Sequence, residues 1–421
     1  PDEYPPSRRR GDMLIVVIAA GFLLSAVASY SLTPLVARLA RRNQWIDTPD
    51  ASRSIHTQPT PRIGGVAIVG AFLVGLIYFA LVPHLLPVEI ASSFRIPSPL
   101  VIVGALIMAS VGLYDDIRHM HFLVKLAFQL GVAALMIGGG FVIPEVFNPF
   151  TDGAFILPRW FAILLTAGWV VGAINAINLL DGMDGLASGV CVIVFGSLTA
   201  AYMVMGDWTN SAWVAIIVGA LFGFLRYNFN PAQIFMGDSG SMFLGFLVAA
   251  YSLHGASRAN SVLALLIPII AMGLPVMDTG LAIVRRFIER RSIFHADKDH
   301  IHHRVVRKLG LSHRNTVLVL YTISIGFGLA AFLLAISQHR LGDNLFTTVV
   351  LCVTALGIFG LLRSLGYLTV PRRRRSAEAP ADLVPDAGES GGDVGDDDVA
   401  TPWDDNRDPL DGARMGQPVD K

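Results

Sequence analysis

The sequence predicts an all-α protein, a polytopic membrane helix bundle of about eleven transmembrane helices. Three observations carry this. Hydrophobic residues make up 53% of the 421-residue chain and charged residues only 15%. Apolar runs long enough to cross a bilayer recur along nearly all of it. The loops between those runs alternate between rich and poor in Lys and Arg.

Taken in order, the expected spans are 13–38, 63–82, 98–114, 122–140, 160–178, 186–205, 211–227, 240–254, 261–286, 315–337 and 344–366, each to within a few residues. One set of loops carries Arg38, Arg41, Arg42, Arg53 and Arg62, then Arg118 and Lys125, then Arg226, then nine Lys or Arg from Arg285 to Arg314, then Arg363 and Arg372 to Arg375. The other set carries mainly Arg95, Arg159, Arg258 and Arg340. The positive-inside rule puts the first set in the cytoplasm, the N-terminus outside and the C-terminus inside. Arg8 to Arg10 run against this assignment and are outvoted by the later loops. The chain then divides into an extracytoplasmic segment 1–12, a membrane domain 13–370 and a tail 371–421. The tail is rich in Pro, Gly and Asp, cannot bury a core, and reads as disordered and cytoplasmic. Cys191 and Cys352 both lie in apolar runs, which argues against a disulfide framework and a cysteine metal site.

On this topology the unusual polar clusters all fall on one face. Asn175, Asn178 and Asp181 are three apart, which places them on roughly one side of a helix, and Asp184 follows in a Gly-flanked turn. Such groups at the mouth of a membrane helix are expensive unless they bind something. Asp115-Asp116 is an adjacent acid pair whose side chains diverge by about 100° on a helix, so each can serve a different partner. Like charges so close favour a bound cation or a raised pKa. Gly237-Asp238-Ser239-Gly240-Ser241 is a turn opening a span, suited to phosphate and to a metal bridging it. Asp299 to Arg304 lie in the most basic loop; if helical, His300, His303, Arg304 and Arg307 share a face, as a phosphate clamp or, less in keeping with the surrounding charge, a zinc site. Each cluster alone has an ordinary explanation as a capped helix end, a solvated acid pair or a basic loop that sets topology. Their coincidence on one face points to an active site. Carboxylate oxygens without thiols favour Mg²⁺ or Mn²⁺ over Zn²⁺.

Five blocks in order resemble the polyprenyl-phosphate N-acetylhexosamine-1-phosphate transferase family: His56 to Gly65, Gly112 to Asp116, Asn175 to Leu186, Pro231 to Ser241 and His300 to Arg304. The resemblance covers about residues 13 to 370. It implies a bacterial cell-membrane enzyme that moves a sugar-1-phosphate from a UDP-sugar to polyprenyl phosphate at the cytoplasmic face, with Mg²⁺, releasing UMP. It makes Asp238 the metal ligand and Asp115 the base, with Asp116 beside it. Asp181 and His303 complete the catalytic candidates. Asp184, Asn228 and Phe235 would hold the uridine, Phe235 by stacking. Asn178, Arg62, His300, His302 and Arg304 complete the substrate-binding set. The stretch Pro59 to Gly65 looks like the branch that uses UDP-N-acetylglucosamine rather than UDP-N-acetylmuramoyl-pentapeptide. Expected partners are that donor, the polyprenyl phosphate and membrane lipids, with no nucleic acid; a homodimer is left open. A transporter is the competing class, but its buried acids belong near the bilayer midplane.

Overall fold

The structure, a computed structural model, describes residues 6–47, 59–147, 154–258, 263–288, 301–337 with 339, and 344–367. His56, His300 and the expected tail 371–421 lie outside these.

Helices dominate. In chain order they are α1 (Pro6–Arg42), α2 (Gly65–Leu81), the short α3 (Val88–Ala91), α4 (Pro99–Arg118), α5 (Phe122–Gly138), α6 (Arg159–Leu180) and α7 (Leu186–Val204). There follow α8 (Trp208–Asn228), α9 (Gly237–Arg258), α10 (Leu263–Ala271), α11 (Gly273–Ile288), α12 (Ile301–Leu309), α13 (His313–Ile336) and α14 (Asn344–Ser364). Two small antiparallel pairs join them: β1 (Ile46–Asp47) with β2 (Thr60–Pro61), and β3 (Glu145–Phe147) with β4 (Ala154–Ile156). Among the described residues eight helices are long and apolar enough to cross a membrane: α1, α2, α4, α6, α7, α8, α13 and α14. The chain is therefore a multi-pass membrane protein.

α8 and α9 form the centre. α1, α2 and α7 pack on α8, and α4 and α6 pack on α9. Trp213, Phe224, Phe243 and Phe246 are all fully buried there. On the rim, α1, α4, α6 and α14 leave Leu23, Val27, Val103, Trp160, Leu164 and Leu356 exposed, as a lipid-facing surface requires. α4 reaches α9 closely because of Gly112: a Cβ there would stand 2.2 Å from the Asp238 carbonyl oxygen. Small residues permit this backbone approach where lipid supplies no hydrophobic drive.

Two local expectations change. The expected span 261–286 is not one helix but breaks at Met272 between α10 and α11. Pro275 lacks the N–H that would bond the Ala271 carbonyl, and its ring crowds that turn. Likewise, α6 stops at Leu180, so Asp181 is its C-cap (φ −78°, ψ 44°) and not a further member of the Asn175–Asn178 face. Its N–H closes a tight last turn on Asn178 O at 3.2 Å.

Candidate active site

The ends of α4, α5, α6 and α9 meet at one end of the bundle. The acid pair divides its partners as adjacent helical positions should. Asp116 is buried, and its two carboxylate oxygens accept the backbone N–H groups of Asp238 (2.8 Å) and Ser239 (3.0 Å). A carboxylate on the first N–H groups of a helix satisfies donors that have no intrahelical acceptor and complements the helix dipole. Asp116 thereby fixes where α9 starts. Gly237 makes the start possible, with φ of 71°.

Asp115 turns the other way. Its Oδ1 accepts Met120 N–H at 2.5 Å, and its Oδ2 accepts from Lys125 Nζ at 2.7 Å. The same ammonium donates to Asp238 Oδ2 at 2.8 Å. Asp238 Oδ1 accepts from Asn178 Nδ2 at 3.0 Å, and that amide also donates to Ser241 Oγ at 2.9 Å. Three helices and a helix start are thus tied through one cation held between two carboxylates. The three charged side chains are only 13–24% exposed. Below them Asn175 Nδ2 donates to the buried Gln129 Oε1 at 2.7 Å, which joins α5 to α6.

Asp181 lies beside this cluster. Burial, with the charges of Asp238 and Asp116, pushes its carboxyl up to about 8, against the Gly237 N–H that favours the charged form.

The first loop backs the site. Phe235 N–H donates to Pro61 O at 2.8 Å, Gly64 N–H to Phe235 O at 2.9 Å and Gly65 N–H to Met236 O at 2.8 Å. Arg62 Nη1 stands 3.6 Å from the Asp47 carboxylate. Asp184 and Asn228 hold the same stretch from behind. Asp184 Oδ2 accepts from Asn230 Nδ2 (2.9 Å) and Ala232 N (3.1 Å). Asn228 accepts from Ser188 Oγ at 2.5 Å and donates to Ile234 O at 3.0 Å. Both residues are buried, and both shape the loop that carries Phe235.

α12 lies over the Asp181–Gly185 turn. His302 is buried, and a Cβ at Gly182 would lie 3.4 Å from its Nε2. The His302 and His303 rings are 4.2 Å apart, and the Arg304 guanidinium stacks 4.0 Å from the Tyr367 ring centre. From α13, His313 Nε2 accepts Asp184 N–H at 3.1 Å, and Tyr321 donates its hydroxyl to Gly185 O at 2.5 Å.

Several of these residues were not singled out from sequence. Lys125 reads in the sequence as a loop charge; its signal is a cation one turn inside an apolar helix. Asp278 sits within an apolar run, where a lone acid is a functional candidate by default. It is buried and accepts Ile301 N–H at 2.7 Å, capping α12. Gln129, His313 and Tyr321 carried no sequence signal beyond being polar.

Among the described residues no three His, Cys, Asp or Glu side chains converge to enclose a metal alone. The donor set nonetheless fits a hard divalent cation. Asp115 and Asp238 already share one cation, the Lys125 ammonium, with Asn178 and Asp181 beside them. Mg²⁺ asks the protein for one or two carboxylates and takes its other oxygens from water and substrate phosphates.

Fold and site together define a multi-pass membrane protein with carboxylate, amide and ammonium groups gathered at one end of its helix bundle. Residues 98–256 match the family described as Glycosyl transferase family 4. Over 323 residues the chain is 36% identical to the probable undecaprenyl-phosphate N-acetylglucosaminyl 1-phosphate transferase of Bacillus subtilis, covering 77% of this chain and 86% of that one. It is 36% identical over 335 residues to the decaprenyl-phosphate N-acetylglucosaminephosphotransferase of Mycobacterium tuberculosis (74% and 80%). It is also 31% identical over 340 residues to the phospho-N-acetylmuramoyl-pentapeptide-transferase of Desulforudis audaxviator (74% and 96%). The chain belongs to the polyprenyl-phosphate N-acetylhexosamine-1-phosphate transferase family.

Proposed function

We propose that this chain transfers N-acetylglucosamine-1-phosphate from UDP-N-acetylglucosamine to a polyprenyl phosphate, releasing UMP and opening a cell-envelope polysaccharide pathway. The observation that carries the reading is the Asp115–Lys125–Asp238 cluster at the start of α9. It offers paired carboxylates, a cation and a helix N-terminus at one point, which is what a diphosphate and an attacking phosphate both need. The two relatives named for N-acetylglucosamine transfer, and the Pro59 to Gly65 stretch, favour this sugar over the muramoyl-pentapeptide.

In the proposed reaction an oxygen of the acceptor phosphate attacks the sugar-bearing phosphorus of the donor. The bond from that phosphorus to the bridging oxygen breaks, and the electron pair leaves with UMP. A phosphate monoester has its second pKa near 6, so much of the acceptor is already a dianion at neutral pH. Asp115 takes the residual proton of the remainder, a proton acidic enough to need no strong base. Attack is direct, without an aspartyl-phosphate, because the acceptor is itself a competent nucleophile. Asp238, with Asp115, would hold Mg²⁺ or Mn²⁺, which when bound supplies charge neutralisation at the diphosphate. Asn178 and Lys125 hold the Asp238 carboxylate in position, and Asp181 borders it. Phe235 stacks on uracil, on a loop shaped by Asp184 and Asn228. His302, His303, Arg304 and Arg62, with His300 by the family resemblance, would bind the donor's diphosphate and sugar. The apolar groove between α4 and α5, about 870 Å³, ends at Met120 beside Asp115 and suits an isoprenoid.

We assign the site to the cytoplasmic face of a bacterial plasma membrane, with α5, α9 and the α10–α11 pair completing eleven crossings and the N-terminus outside. The Lys/Arg asymmetry supports this orientation. The test is UMP release from UDP-N-acetylglucosamine by purified protein given polyprenyl phosphate and Mg²⁺. Wild type should turn over and a folded Asp238→Asn variant should not. No UMP from wild type, or undiminished turnover in the variant, refutes the reading.

A further inference from the structure

The catalytic reading leaves the outward arginines unexplained. Arg10 and Arg95 lie at the end of the bundle away from the cleft. α4 runs between the two ends, from its N-cap Ser98 to Asp115, about 25 Å of helix. At the Ser98 end is an enclosed pocket of about 200 Å³, lined by Arg95, Ser98, Thr209, Asn210 and Tyr251 among others. Tyr251 is only 2% exposed, yet its hydroxyl has no hydrogen-bond partner among the described residues. A buried donor left this way is costly, and such groups call for a ligand or water.

The rest of the pocket is a fixed frame. Thr209 Oγ1 donates to Ser93 O at 2.8 Å and Trp213 Nε1 to Arg95 O at 2.8 Å. The Asp207 carboxylate is turned to the start of α8, accepting Asn210 N–H at 3.1 Å and Asn210 Nδ2 at 2.6 Å. Ser98 makes no side-chain cap bond, so its hydroxyl is available at the start of α4. Arg10 Nη2 donates to Ser93 Oγ at 3.0 Å, which brings a second guanidinium to the same loop. Neither arginine has a carboxylate partner among the described residues. The same connection from α2 to α4 exposes Leu85 (83%), Val88 (79%) and Ile96 (66%). A segment that presents bare aliphatic side chains beside bare guanidinium groups matches the level of a bilayer where acyl chains meet headgroups.

We infer that this pocket binds the phosphate of an anionic membrane lipid. The Tyr251 hydroxyl and the Arg95 guanidinium donate to its oxygens, Arg10 adds charge at the rim, and the acyl chains pass Ile96 into the bilayer. Arg10 then stands against the positive-inside pattern because it serves a lipid. The site is separate from the transferase cleft and does not depend on the reaction proposed for it.

The test uses the full chain in neutral detergent, with native mass spectrometry counting retained lipid. Wild type should hold one phosphatidylglycerol at concentrations where phosphatidylcholine is not held. Tyr251→Phe, which removes only the hydroxyl, and Arg95→Gln, on an exposed side chain, should each weaken retention roughly tenfold or more while the unfolding midpoint in lipid-free detergent stays near wild type. Retention in both variants equal to wild type overturns the site, as does equal retention of phosphatidylcholine. Inorganic phosphate is the second arm. It should not displace the lipid at equal concentration, and if it does, the pocket is one for free phosphate and the lipid assignment falls.

Discussion

Replacing Lys125 by Met keeps most of the side-chain length and removes the charge that joins Asp115 to Asp238. At an effective dielectric of about 20, each contact near 2.7 Å is worth about 6 kcal/mol of gross Coulomb energy. Desolvation of three groups exposed by only 13–24% cancels much of that. What remains on deletion is the cost of leaving two carboxylates facing each other without a cation. Breaking a buried ion pair costs about 3–5 kcal/mol, and partial exposure puts this case near about 3. The assay is unfolding of the purified protein in detergent, followed by circular dichroism, in EDTA and in Mg²⁺. In EDTA the variant should lose about 3 kcal/mol. Mg²⁺ should raise the variant's midpoint more than the wild type's, since a divalent cation can then take the place between the carboxylates. A Lys125→Met/Asp115→Asn double variant should lose less than the sum of the singles, by about 1–3 kcal/mol of coupling. Co-melting of Lys125→Met with wild type in EDTA, or additive singles, refutes the argument.

Two further outcomes follow from the geometry. Gly237→Ala puts a Cβ 2.0 Å from Arg62 O and 2.6 Å from the Asp116 carboxylate at a φ of 71°; beyond about 1–2 kcal/mol for the left-handed backbone, α9 must shift. Turnover should fall at least tenfold, and normal turnover would show that the start of α9 need not be held there. Asp278→Ala removes the cap on Ile301 and should cost about 1 kcal/mol locally, read as faster hydrogen exchange across 301–309 and a higher donor KM; unchanged exchange there counts against the capping role.

The membrane class was legible because apolar runs of bilayer length have few other uses. So were the carboxylates and amides, because polar groups at span ends are costly. The separate partners of Asp115 and Asp116 also followed from their divergence of about 100° on a helix. What was not legible depended on partners distant in sequence. Lys125 looks like a topology charge until α9 is seen opposite it, and Asp278 is a lone acid until α12 arrives on it. The span end near Leu180 was legible, but the departure of Asp181 from the Asn175–Asn178 face was not, because the Asp181–Gly185 turn is held by His313 and Tyr321 from more than a hundred residues away. The break at Met272 was written in Pro275 but outweighed by the length of the apolar run.

The grip of Asp116 on the first N–H groups of α9 has a consequence for genetics. Both of its oxygens are spent on backbone 122 and 123 residues away, so the side chain works as a rivet between two stretches of chain. An inactivating allele at this codon would look, in any survey of null mutants, the same as one at Asp238. It would report only that α9 had lost its moorings. Suppressors tell the two apart. A lost rivet can be offset by second-site changes that pin the start of α9 by another route, for instance along the Phe235–Met236 stretch, whereas loss of the metal ligand proposed at Asp238 cannot.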